Sequence, residues 1–262
     1  MNQSKMILAI DIGNTTIGLA LVKKTKVIAV EHIDTTDNPR LLKPVLLKVV
    51  KKLLRKAKPQ TVVICSVVPH ATVLVERYIR EVFHLNLQVI GRDVLVPMPN
   101  KYKNPKQVGQ DRLVGAYAAM RLYGKPLIVV DLGTAITFDV VSAKGEYLGG
   151  VIVPGLRLSA ESLFTKTALL PEIDIKAPKS IIGKTTQESI LSGLFYGYGA
   201  LCQGMIEELS LSFPRKRESR SMINVVMTGG HTQLMKKFVS PKIRIIDEGL
   251  VFKGMSFLAQ KQ

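Results

Sequence analysis

Two stretches of this sequence carry an aspartate out of a β-branched run and set a glycine two residues later: Asp11-Ile12-Gly13-Asn14-Thr15 and Asp131-Leu132-Gly133-Thr134. A glycine at such a point admits backbone conformations closed to other residues and lets amide N–H groups approach a phosphate. Asn14 and Thr15 add uncharged donors. Phosphate repels a carboxylate, so Asp11 serves that chemistry only through a Mg²⁺ ion or by orienting water. One such tetrad alone is also an ordinary Asp/Gly hairpin turn. A third glycine corner, Gly229-Gly230, follows Asn224–Met227 and Thr228, and offers bare backbone that a flat adenosine can approach. Neither a dinucleotide fingerprint nor a P-loop fits, because Gly13 lacks a second glycine in register and Gly183-Lys184-Thr185 has Pro178 where a P-loop needs its first glycine.

Gly109-Gln110-Asp111-Arg112 opens a predicted helix. Its first amides and Arg112 can hold a carboxylate or a hydroxylated substrate. Asp111 can accept the proton of an attacking hydroxyl, or it can simply cap the helix near the positive end of its dipole. His32, His70, His84 and His231 have no ligand spacing and suggest no metal site, although His231 stands beside the glycine corner. Cys65 and Cys202 lie among apolar neighbours and read as small buried thiols.

The elements that must position these residues repeat. Met6–Ile10, Ile17–Val22 and Lys26–His32 read as a three-strand meander, and Leu127–Val130, Ile136–Val141 and Glu146–Val153 read as another. Aligning Asp11 with Asp131 superimposes the two. Each meander is followed by helix, strand and helix, with Thr61–Val67 and Asn224–Met227 as buried strands and predicted helices over Pro39–Lys58, Gln107–Tyr123 and Gln187–Leu211. The expectation is α/β architecture: two similar lobes, residues 1–115 and 116–262, each a mixed sheet with helices. Paired phosphate loops in such lobes are the logic of actin-like (ribonuclease H-like) phosphotransferases, with ATP in a cleft between the lobes. The basic, serine-rich segment Ser212–Met222 reads as an exposed, mobile insertion, because Pro214 breaks the helix and little in it can be buried.

Composition narrows the classes. Apolar residues at 47 % against 22 % charged residues argue for a packed globular chain. No apolar run is long enough to span a bilayer, and Met6–Ile10, broken by Asp11, does not make a signal peptide. Two cysteines build no disulfide framework, so a reducing, cytoplasmic setting is expected. The net charge of +17 admits nucleic acid, an anionic membrane or anionic substrates as partners. Much of it lies at Lys43, Lys48, Lys51, Lys52, Arg55, Lys56 and Lys58, alternating with Leu and Val at helical spacing. That is the pattern of a solvated face on an amphipathic helix.

Taken together, the two Asp-x-Gly loops, Tyr102-Lys-Asn104-Pro105-x-x-Val108-Gly109-x-Asp111-Arg112, Gly149-Gly150-x-Ile152-x-Pro154-Gly155, Leu170-Pro171-Glu172, Gly183-Lys-Thr-Thr186 and Thr228-Gly229-Gly230 resemble the type III pantothenate kinases over nearly the whole chain. The resemblance implies ATP-dependent phosphorylation of pantothenate to 4'-phosphopantothenate, the first step of coenzyme A synthesis. It implies ATP contacts at Asp11, Ile12, Gly13, Asn14, Thr15, Thr16, Ile17 and Gly18 and at Thr134, with Gly229 and Gly230 as the adenosine corner. It implies Asp111 as catalytic base and pantothenate contacts at Tyr102, Gly109, Gln110, Asp111, Arg112 and Thr186. It also implies Asp131 as ligand of a monovalent cation (K⁺ or NH₄⁺), Mg²⁺ arriving with ATP, and a homodimer that needs neither membrane nor nucleic acid. Two departures stand out. Gln110 replaces a frequent alanine and would line the pantothenate site, and Thr185 replaces a frequent acid. The competing reading, an idle relative acting as a nucleic-acid-binding accessory, has the charge as its support and the retained Asp111, Arg112 and Asp131 against it.

Overall fold

The computed structural model describes residues 6–213, 223–239, 243 and 245–259. They form two compact units, one running to Leu122 and resuming at Gly249, the other spanning Tyr123–Glu248. The sequence reading divides the chain at residues 115 and 116 and leaves the last helix with the second lobe. That helix packs instead with the first unit. Of the insertion, residues 214–222 lie outside the described residues.

In the first unit β1 (Met6–Ile12), β2 (Thr16–Lys23) and β3 (Lys26–Asp34) form an antiparallel meander. Helix α1 (Pro39–Lys56) then crosses to β4 (Thr61–Ser66), parallel to β1, and α2 (Pro69–Phe83) leads to the short β5 (Leu87–Val89). The sheet order is β3-β2-β1-β4-β5. A polar stretch and a single tight turn at Pro105–Gln107 reach α3 (Gln110–Tyr123). In the second unit β6 (Leu127–Leu132), β7 (Ala135–Val141) and β8 (Tyr147–Pro154) repeat the meander. There follow α4 (Leu156–Lys166), α5 (Thr186–Ser192), α6 (Tyr198–Ser212), β9 (Asn224–Thr228), α7 (Thr232–Met235) and β10 (Ile245–Ile246). Its order, β8-β7-β6-β9-β10 from one edge, is the same plan, with β9 parallel to β6. The predicted helix over Gln187–Leu211 is α5 and α6 joined by one wide π turn at Gly193–Gly197, the local defect that often marks a site under constraint.

Strand alternation decides what each face meets. Leu8, Ile10 and Ile12 of β1 point into a core completed by Leu42, Leu46, Val50 and Leu53 of α1 and by Ala71, Val75 and Ile79 of α2. The lysines and Arg55 between those α1 positions are exposed, and Lys52 reaches Glu31 at 2.7 Å, as an amphipathic surface helix requires. The opposite face carries small residues: Ala9 pairs with Ala20, and Asp11 with Gly18. The last helix, α8 (Leu250–Ala259), lies on β1, β2 and β4 there. A Cβ on Gly18 would stand 2.8 Å from the Phe252 ring. In the second unit Ile128, Val130 and Leu132 pack with Phe138, Leu156, Leu191, Phe195, Cys202 and Met227.

Candidate functional site

The two loops have the same exposure pattern: aspartate half-buried, next residue buried, glycine half-buried, next residue exposed. In the first, the Gly13 N–H donates to the Thr16 carbonyl at 3.0 Å, closing the turn between β1 and β2. In the second, the Gly133 N–H donates to the Ala135 carbonyl at 3.1 Å. Asp11 sits opposite Cys65 across the parallel β1–β4 pair, and the Cys65 thiol is fully buried there. Burial pushes that thiol well above its ordinary pKa, and the negative charges of Asp11 and Asp111 push it further. Asp11, Cys65 and Asp111 therefore lie together in the first unit.

Asp111 is on the first turn of α3. Its Oδ1 accepts the Arg112 N–H at 2.8 Å and folds back over Gly109, where any Cβ would overlap it. The glycine two residues before the aspartate is therefore a space requirement. Burial raises the Asp111 carboxyl above the usual carboxylate range, opposed by the Arg112 N–H and the Arg112 charge. A carboxylate that holds its proton more tightly than in water is the kind of group that accepts one from a hydroxyl.

In the second unit Asp131 stands opposite Thr228 across the parallel β6–β9 pair. Gly229 has φ of +98°, and a Cβ there would overlap Asp131 Oδ1 and the Leu132 backbone. Only glycine brings the corner this close to the carboxylate. The His231 N–H donates to the Leu132 carbonyl at 3.0 Å. Gly155 meets the same loop, its N–H donating to Thr134 O at 2.9 Å. Tyr102 is half-buried in the first unit, its N–H donating to Asn100 Oδ1 at 2.9 Å; Thr186 is exposed in the second, at the start of α5. A cavity of about 660 Å³ opens beside Thr186, lined by Lys176, Lys179, Lys184, Thr185 and Glu188 among others.

The family profile of type III pantothenate kinases matches residues 7–208. The chain belongs to that family. It is 41 % identical over 237 residues to a type III pantothenate kinase of Persephonella marina, covering 88 % of this chain and 90 % of the relative. It is 36 % identical over 258 residues to one from a Sulfurihydrogenibium species, covering 97 % and 99 %. Among solved structures it is similar to a Campylobacter jejuni protein of the Baf family (TM-score 0.57, 19 % identity, 96 % of each chain). It is also similar to an inorganic polyphosphate/ATP-glucomannokinase of Arthrobacter (TM-score 0.53, 15 % identity, 98 % of this chain and 100 % of that one). At these identities the likeness is one of fold, the two-lobed actin-like α/β class expected from the repeat.

The type III kinases are ATP-dependent enzymes of coenzyme A synthesis that use a divalent metal with the nucleotide. Among the described residues no group of three or more His, Cys, Asp or Glu is placed to hold a metal ion by itself. No described helix is long and apolar enough to cross a membrane. Gln110 turns its side chain against Gly91, where a Cβ would stand 2.8 Å from its Cδ. Thr185, despite replacing an acid, caps α5: its Oγ1 accepts the Glu188 N–H at 3.2 Å, and Glu188 accepts the Lys184 N–H at 2.8 Å. His231 stands beside the glycine corner as the sequence places it, whereas sequence reasoning missed Cys65 as a neighbour of Asp11 and missed Thr35, whose hydroxyl donates to the Gly13 carbonyl at 2.7 Å.

Proposed function

We propose that the chain transfers the γ-phosphoryl of ATP to the primary hydroxyl of pantothenate, with Asp111 as general base. Asp111 takes the hydroxyl proton as the oxygen attacks phosphorus, and the bond to the ADP oxygen breaks. The amides of Asp11–Gly18 hold the phosphates, and the Asp11 carboxylate would hold Mg²⁺, which would supply positive charge against the phosphates. Thr134 supplies a further ATP contact, and Gly229-Gly230 gives adenosine a bare backbone surface. Tyr102, Gly109, Gln110, Arg112 and Thr186 bind pantothenate, Arg112 and the first amides of α3 taking its carboxylate or hydroxyls. Asp131, hemmed in by Gly229, holds K⁺ or NH₄⁺ where no P-loop lysine is present.

The observation that carries this reading is the half-buried Asp111, raised above the usual carboxylate range and folded over Gly109. A homodimer is supported by apolar side chains exposed on the second unit, Ile152 on the edge strand β8 and Leu169, Ile181 and Ile182 before α5. Two free, buried thiols fit a cytoplasmic enzyme. Neither membrane nor nucleic acid enters the reaction. ADP release should depend on pantothenate and yield 4'-phosphopantothenate by mass. ADP release indifferent to pantothenate, or without that product, would overturn the assignment. Turnover should collapse in Na⁺-only or Tris-only buffer and recover with K⁺ or NH₄⁺; equal rates in all four remove Asp131 from its role. Because a raised carboxyl must lose its proton to act, kcat/KM should fall with pH on an acid limb lying above the ordinary aspartate range. A limb within that ordinary range, or none, contradicts the base assignment.

A further inference from the structure

The chain enters α5 by folding back on it, and the fold-back is tied down one residue at a time. From the end of α5 the Ser192 hydroxyl donates to the Ile181 carbonyl. Gly183 lies so close to the first turn that a Cβ there would overlap Ser189 N and Glu188 C. The Lys184 N–H donates to Glu188 Oε2 at 2.8 Å. Thr185 Oγ1 accepts the Glu188 N–H at 3.2 Å, and the Thr185 carbonyl accepts the Ser189 N–H at 2.9 Å. The Glu188 carboxylate thus reaches one residue further back than in a capping box, where it would take the N–H of the cap itself.

Residues 167–185 belong to no helix or strand. Such a stretch has no ladder or helical bonds to fix it and opens locally at little cost unless side chains hold it. Thr186 follows at once, exposed at the first position of α5. The cavity of about 660 Å³ beside it is lined by Ile182, Gly183 and Lys184 from the incoming stretch and by Gln187, Glu188 and Leu191 from α5.

We propose that Glu188 and Ser192 are positioning residues for the acceptor substrate: by tying the incoming stretch to α5 they fix the Thr186 hydroxyl where it meets pantothenate. The proposal rests on the reading of Thr186 as a pantothenate contact. Both residues act through Thr186. A hydroxyl held in place beforehand binds more tightly than one ordered on contact, because ordering a loop and its side chains counts against affinity.

The test uses the full-length enzyme. Glu188→Ala should raise the pantothenate KM about fivefold, the loss expected from one cap. The turnover number and the MgATP KM should stay within about twofold, and the melting temperature should fall by no more than about 4 °C. Glu188→Gln keeps an acceptor for the Lys184 N–H and should restore the wild-type value. Ser192→Ala, which frees Ile181 at the far end of the fold-back, should raise the same KM. Thr186→Val, measured alongside, reports on the contact itself. Adding Glu188→Ala to it should bring no further loss, because the two residues act as one unit. If Thr186→Val is impaired while Glu188→Ala and Ser192→Ala keep the wild-type pantothenate KM, the positioning role is overturned and the contact stands. If the loss from Glu188→Ala multiplies in full with that from Thr186→Val, Glu188 acts elsewhere and the proposal fails. If both substrates' KM values rise together with a larger fall in melting temperature, the ties are merely structural and the proposal fails. If Thr186→Val handles pantothenate normally, the contact reading fails and takes the proposal with it.

Discussion

The corner after β4 and the corner after β9 occupy matching places in the two sheets, yet they are made of opposite materials. Each follows a strand parallel to the one that delivers the loop aspartate, with Asp11 opposite Cys65 and Asp131 opposite Thr228. Each sends a backbone N–H to the residue after that aspartate: Val67 to Ile12 at 3.1 Å, His231 to Leu132 at 3.0 Å. The first corner is filled with Ser66, Val67 and Val68 and tied by side chains. Thr72 Oγ1 donates to Ser66 Oγ at 2.6 Å, and Ser66 Oγ accepts the Val68 N–H at 3.0 Å. The second is one residue longer and stripped to Gly229-Gly230. A duplicated frame thus carries two different loads. Branched side chains fill the first corner, and the carboxylates Asp11, at the end of β1, and Asp111, at the start of α3, belong to its unit. Glycines empty the second, and backbone is laid open there beside Asp131.

That division can be broken from either side. On the proposed reading, in which Asp11 is the carboxylate that would meet Mg²⁺, Asp11→Asn should lower kcat by at least about 100-fold whatever the monovalent cation. Asp131→Asn should cost less, about tenfold, and should abolish the preference for K⁺ and NH₄⁺. Similar losses from both, with the cation response intact, would make the two loops equivalent. Steady-state rates in K⁺ and in Na⁺ decide between these outcomes.

A smaller effect separates the glycines. Gly229→Ala places a side chain at φ of +98° against the Leu132 backbone, so it should cost about 2 kcal/mol or more of stability and raise the ATP KM. At Gly13 a Cβ would stand 3.3 Å from the Thr16 carbonyl with no positive φ, so Gly13→Ala should cost under about 1 kcal/mol. Urea unfolding of both variants measures the difference, and equal costs would remove the special claim for the second corner. Smallest of all, Ser66→Ala should lose about 1 kcal/mol of stability and leave both KM values unchanged, because the first corner is structural. A shifted ATP KM would place nucleotide there after all.

The repeated meander and its Asp-x-Gly loops were legible because β-branched runs end on residues that only a turn accepts. The start of α3 was legible to within three residues, read from Gln107 and standing at Gln110, because Asp111 is the kind of residue that a helix start favours. The return of α8 to the first unit was not. Its docking surface is Gly18, Ala9 and Ala20, small residues whose meaning appears only when β1 and β2 are paired. Thr35 escaped for the same reason, since the bond of its hydroxyl to the Gly13 carbonyl leaves no mark in residue type or period. Cys65, read as a small thiol among apolar neighbours, is buried as expected, and the charges of Asp11 and Asp111 add to the effect of that burial in raising its pKa.

Turnover by Asp111→Asn tests the central claim most directly, read together with ATP binding and the melting temperature. Removal of the general base should lower kcat by at least about 100-fold, with ATP affinity and melting temperature close to those of the unaltered chain. Turnover within about threefold of the unaltered chain would reduce Asp111 to a helix cap and contradict the mechanism.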